Sequence, residues 1–197
     1  MKKEYKQMLI DRKTHEEINA AKRLLGSLSG RRLSAREVIG EFLGRRLRFL
    51  SLDSDIKTYI NAFVSEAALD SSVMGLLLFG SVARGEFNKH SDIDVLVVVK
   101  GRAMSSFERV DDMINRVELA REPLVKRGLY LRIRPLLLST EELSNFRPIY
   151  LDILEDGVVL FERNDTIFNF LNDIRRNVDY RKEIVGNNVV VRWRIKA

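Results

Sequence analysis

Two apolar runs, Val73 to Phe79 and Val95 to Val99, enclose the most restrictive stretch of the chain. The first run stops at Gly80-Ser81, and the second begins directly after Asp92-Ile93-Asp94. Between them lies a short segment rich in Gly, Arg, Lys and Ser. Runs of this length, bounded by glycine and polar residues, read as buried strands. Strand alternation puts Asp92 and Asp94 on one face, with Cα atoms roughly 6.5–7 Å apart. Two carboxylates at that spacing can hold a hard cation such as Mg²⁺ through oxygen, the usual way such an ion is kept beside a substrate phosphate. A glycine at the turn lets a backbone approach a phosphate closely, so the turn is phosphate-compatible. The plainer alternative is that the aspartates cap the loop or pair with Arg84 or Lys89.

The rest of the chain reads as alternating helices and strands. Helical periodicity covers 52–69 and 103–122, with Pro123 and Gly128 punctuating the end of the second helix. A third strand fits 129–138, followed by a short helix from Thr140 and helical turns near 147–155. A strand at 157–161 and a helix at 166–178 follow, then a hairpin, Arg181 to Val185 and Val189 to Ile195, across Gly186-Asn187-Asn188. The strand 129–138 offers Leu129-Tyr130-Leu131-Arg132-Ile133-Arg134 and no acid; none occurs between Glu122 and Glu141.

Charge divides the 197 residues unevenly. Residues 1–50 carry a balance of +7, residues 175–197 carry +5 and the middle carries −6. A basic head on an acidic body points to a polyanion as partner of the head. Within the head, Thr14 caps one helix, and Ser34-Ala35-Arg36-Glu37 has the capping-box spacing before a second that runs to about residue 50. The absence of cysteine excludes disulfides and thiolate metal sites. No stretch is apolar enough to span a membrane, so a cytoplasmic protein is expected.

The combination Gly80-Ser81, ten residues, then Asp92-Ile93-Asp94, with Ala83-Arg84-Gly85-Glu86 and Ser91 around it, resembles the DNA polymerase β-type nucleotidyltransferase superfamily in its small prokaryotic and archaeal members. The resemblance extends less sharply to about residue 195, where Val191-Arg192-Trp193 is similar to a terminal Trp-containing strand of archaeal members. It implies an α+β (α/β) fold, a mixed sheet with flanking helices, over residues 51–197. It also implies transfer of a nucleoside monophosphate from an NTP, with ATP as the expected nucleotide, to an acceptor hydroxyl. In that reading Asp92 and Asp94 are catalytic residues and Mg²⁺ ligands, while Gly80, Ser81, Arg84 and Lys89 bind the nucleotide. Small members often act as antitoxins that modify a HEPN-type toxin. Active members usually carry a third carboxylate on the neighbouring strand, where this chain has arginines; Glu86 or Glu118 are the candidate substitutes. The alternative is therefore a catalytically weak or inactive nucleotide-binding, DNA-binding regulator or antitoxin. Residues 1–50, from Leu9-Ile10-Asp11 through Leu33-Ser34-Ala35, resemble the ribbon-helix-helix family, which implies a homodimer that binds duplex DNA or a head that only dimerises.

Overall fold

The structure is a computed structural model that describes residue 49, residues 51–185 and residues 188–196. The ribbon-helix-helix-like head expected at 1–50, its pairing into a homodimer and the turn residues Gly186 and Asn187 all lie outside the described residues. Those described belong to one unit, Arg45–Ala197.

The first helix, α1 (Ser54–Leu69), starts where Asp53 accepts a hydrogen bond from the Asp55 N–H at 2.9 Å. Arg127 holds both acids, reaching Asp53 at 2.7 Å and Asp55 at 2.8 Å. It keeps the Asp53 carboxyl below the usual carboxylate range. Strand β1 (Val73–Phe79) follows, then the one-turn helix α2 (Gly80–Arg84) and strand β2 (Asp92–Val99). The helix expected over 103–122 is divided. A 3₁₀ turn at Met104–Ser106 leads into α3 (Phe107–Arg116), a second 3₁₀ turn covers Glu118–Arg121, and α4 (Glu122–Lys126) is a separate short helix. Pro123 accounts for the last of these breaks, the start of α4. It has no N–H to give and its ring clashes with a carbonyl four residues back, so it sits in the first turn of a new helix rather than ending an old one. Strand β3 (Arg132–Ser139), helix α5 (Ile149–Asp156), strand β4 (Val158–Glu162) and helix α6 (Thr166–Asn177) complete the body. Strands β5 (Val178–Val185) and β6 (Asn188–Ile195) pair separately as an antiparallel ribbon.

The main sheet has the order β3-β2-β1-β4 and is mixed: β2 runs parallel to β3, while β1 is antiparallel to both β2 and β4. The two central strands are apolar on both faces because both faces are covered. One face buries Leu76, Leu78, Val95 and Val97 with Ile56, Ile60 and Phe63 of α1 and Met113 of α3. The other buries Leu77, Phe79, Leu96 and Val98 with Tyr150 and Ile153 of α5 and Phe170 and Ile174 of α6. Fully burying each such aliphatic side chain contributes about 1.5–3 kcal/mol, so these two layers fix the sheet and everything at its edge. Helix α6 lies so close to β1 that a Cβ on Gly75 would stand 2.5 Å from Ile167. No helix among the described residues is long and apolar enough to cross a membrane.

Candidate active site

Side-chain alternation along β2 puts Asp92 and Asp94 on the face shared with Leu96 and Val98, the one covered by α5 and α6. Both stand at the N-terminal end of the strand, with side chains partly open to solvent. In the antiparallel register Asp94 lies opposite Phe79, the residue before Gly80. Gly80 takes φ +75°, and a Cβ there would stand 2.6 Å from Asp94 Oδ2. The turn glycine therefore makes room for a carboxylate as well as bending the chain. Ser81 lies in α2, and its carbonyl accepts from the Gly85 and Glu86 N–H groups, which closes that single turn.

The parallel register brings β3 against the same end: Arg132 lies beside Asp92, and Arg134 beside Asp94. Arg134 Nη1 donates to Asp92 Oδ2 at 3.0 Å. The aspartate's ion-pair partner is thus Arg134, rather than the Arg84 or Lys89 considered from the sequence. Arg84 is engaged elsewhere. Its Nε meets Glu86 at 2.8 Å, and its Nη1 meets Asp156 at the end of α5. Glu86 and Asp156 together raise the already high arginine pKa. Lys89 is exposed, and its backbone carbonyl accepts from the Tyr130 N–H at 2.7 Å. That bond carries the β2–β3 alignment two residues beyond the strand ends, where the His90 and Tyr130 rings stack with centroids 5.5 Å apart.

Asp94 is the member of the pair whose charged form is penalised. Burial pushes its carboxyl up first and the Asp92 carboxylate adds to the shift, against the opposing pull of Arg134 and Arg84. Two oxygens-only ligands on one face, one of them penalised when ionised, fit a single hard divalent cation. A cation there would remove the like-charge cost. The donor set does not extend to a second ion. Among the described residues no group of three or more His, Cys, Asp or Glu side chains is placed to hold a metal. Glu86 is tied to Arg84, and Glu118 to Arg121. Neither candidate third acid joins the pair.

Sequence reasoning missed three residues that shape this site. Arg134 appeared only as a missing acid. Asp156, 72 positions from Arg84, carries no local signal. Arg121 is buried and its Nε donates to the Leu131 carbonyl at 2.6 Å, which anchors the chain as it enters β3. Its spacing from Glu118 fits an ordinary helix-surface ion pair, and that spacing conceals the anchor role.

Residues 56–160 match the family described as the nucleotidyltransferase domain. A protein of Methanocaldococcus jannaschii named as a candidate protein adenylyltransferase is 30% identical over 109 residues, which cover 54% of this chain and 94% of that protein. Another from the same organism, named alike, is 28% identical over 105 residues, 52% of this chain and 68% of its own. Among solved structures, a toxin–antitoxin with AMP-PNP covers 57% of this chain and 81% of its own, at 14% identity and a TM-score of 0.39. A candidate nucleotidyltransferase from Sulfolobus solfataricus covers 57% and 91%, at 23% identity and a TM-score of 0.31. With a turn glycine seated against a strand aspartate, and a family match spanning more than half its length, this chain belongs to the nucleotidyltransferase domain family.

Proposed function

We propose that the protein transfers a nucleoside monophosphate, with ATP as donor, to a hydroxyl on another protein. The observation that carries this reading is the Asp92–Asp94 pair on one face of β2, with Asp94 set against the Gly80 turn. The names of the two M. jannaschii relatives support adenylyl transfer and a protein acceptor, of which a HEPN-type toxin is one kind. In the transfer, the acceptor oxygen forms a bond to the α-phosphorus as the bond from that phosphorus to the α,β-bridging oxygen breaks. Pyrophosphate leaves with the bonding electron pair, and the hydroxyl proton passes to solvent. When bound, Mg²⁺ supplies charge neutralisation at the phosphoryl oxygens. Asp92 and Asp94 would hold it; Gly80 and Ser81 would cradle the triphosphate from the adjoining turn, with Arg84 and Lys89 adding positive charge.

A second reading is favoured by one observation, Arg134 beside Asp94 and bonded to Asp92 on the neighbouring strand, from which the family resemblance leads one to expect a third carboxylate. In it the body binds nucleotide without rapid turnover, while the basic residues 1–50 bind duplex DNA as a separate module. Incubation with α-³²P-labelled ATP and Mg²⁺, with and without candidate acceptors, distinguishes the two. Label on an acceptor or on the protein itself, abolished by Asp92→Ala with Asp94→Ala, establishes transfer. If wild type and variant are equally silent yet both retard duplex DNA, with affinity falling steeply as salt rises, the regulator reading holds.

A further inference from the structure

We infer that Arg134 is the fixed second cation of this site: the pair Asp92–Asp94 takes one divalent ion, and the Arg134 guanidinium supplies the remaining positive charge to the triphosphate. The inference rests on the nucleotide-binding reading and extends it to charge balance.

Three observations carry it. The parallel register sets Arg134 beside Asp94, and strand alternation puts both on the face that carries Asp92. Arg134 Nη1 already donates to Asp92 Oδ2 at 3.0 Å, so the guanidinium flanks the pair on the β3 side. No third acid among the described residues joins the pair to balance a second ion.

The charge arithmetic points the same way. Two carboxylates are neutralised by one divalent cation, and Arg134 then leaves the site with one net positive charge facing a polyanion. A second divalent ion at the same flank would meet the guanidinium at close range, with twice the repulsion of a unit charge. A guanidinium carries five N–H donors in a planar fork; one is used on Asp92, and with 72% of the side chain exposed the fork is open toward solvent. It can therefore bridge Asp92 to a phosphate oxygen and fix both.

Electron paramagnetic resonance with Mn²⁺ and the non-hydrolysable analogue AMP-PNP tests this on the full chain, with calorimetry measuring nucleotide affinity in parallel. Wild type is expected to give a single-ion Mn²⁺ spectrum. Arg134→Gln should keep that spectrum and lose nucleotide affinity by roughly tenfold, the loss of one charge-assisted contact. Arg134→Asp should admit a second ion and show a coupled Mn²⁺ pair. A coupled pair in wild type, a single-ion spectrum in Arg134→Asp, or Arg134→Gln affinity within about twofold of wild type would overturn the role of Arg134 alone. Wild-type protein that binds neither AMP-PNP nor Mn²⁺ would overturn the nucleotide-binding reading along with it.

Discussion

Gly80 and Asp94 meet across the β1–β2 junction, with the glycine at φ +75° and the position of its missing Cβ 2.6 Å from Asp94 Oδ2. The contact joins the turn that would receive phosphate to the carboxylate that would hold its counter-ion. A side chain at residue 80 would strain the backbone and displace the acid together.

Gly80→Ala is therefore expected to lower stability by about 1–3 kcal/mol, since alanine is forced into a left-handed conformation next to a carboxylate. Nucleotide affinity should fall by more than this loss of folded protein explains. Urea denaturation beside calorimetric titration with ATP and Mg²⁺ checks both; an affinity equal to that of wild type would show that Asp94 is not held by this contact.

Asp94→Asn should stabilise the protein without ligand and abolish the metal-dependent nucleotide binding proposed above. The sign follows from the raised carboxyl. Because its folded value lies above the ordinary 3.8, ionisation is harder in the folded state than in the unfolded one. Wild type then loses stability as pH rises from about that value through the folded one, and keeps the deficit at neutral pH. The variant should melt higher at pH 7, by about 2–4 °C per kcal/mol relieved, with the gap closing below pH 4. Thermal melts across pH 3–8 measure it; a gap that widens on acidification would contradict the burial of Asp94.

Arg84→Ala and Asp156→Ala should separate two roles of one ion pair. Asp156 is the more buried partner, and its place at the end of α5 ties that helix to α2. Removing it should lower the melting temperature and leave ATP affinity within about twofold of wild type. Removing Arg84 should lower both, the affinity by roughly tenfold if the guanidinium also meets the triphosphate. Equal affinity losses in the two variants would assign Arg84 to structure only.

Arg121→Met should destabilise the body by about 2–4 kcal/mol, because the Leu131 carbonyl and the Glu118 carboxylate lose a buried guanidinium. The loss should fall on the start of β3. Hydrogen exchange at amides of residues 130–134 is the specific readout, and unchanged protection there would refute the anchor role.

Much of the fold was legible because its signals are local. The apolar runs at 73–79 and 95–99 require burial on two faces, and they read as central strands wherever the chain places them. Gly80-Ser81 and Asp92-Ile93-Asp94, set between the two apolar runs, carry the resemblance to the family that residues 56–160 match. Pro123 was visible too, but its effect was misplaced: the same residue can end one helix or begin the next, and only the packing of α3 and α4 decides between them.

The sequence by itself determined which residues could carry charge and which runs form strands, because alternation and turn chemistry depend on near neighbours. The packed chain starts β3 at Arg132 rather than 129 and β5 at Val178 rather than 181. What the tertiary structure alone decided was who meets whom. Arg134 reaches Asp92 through a parallel register set by the whole β2–β3 ladder, and Asp156 reaches Arg84 because α5 packs over the sheet. Pairings between groups 42 and 72 positions apart leave no periodic trace in a sequence, since long-range contacts are selected by the packing of the entire core.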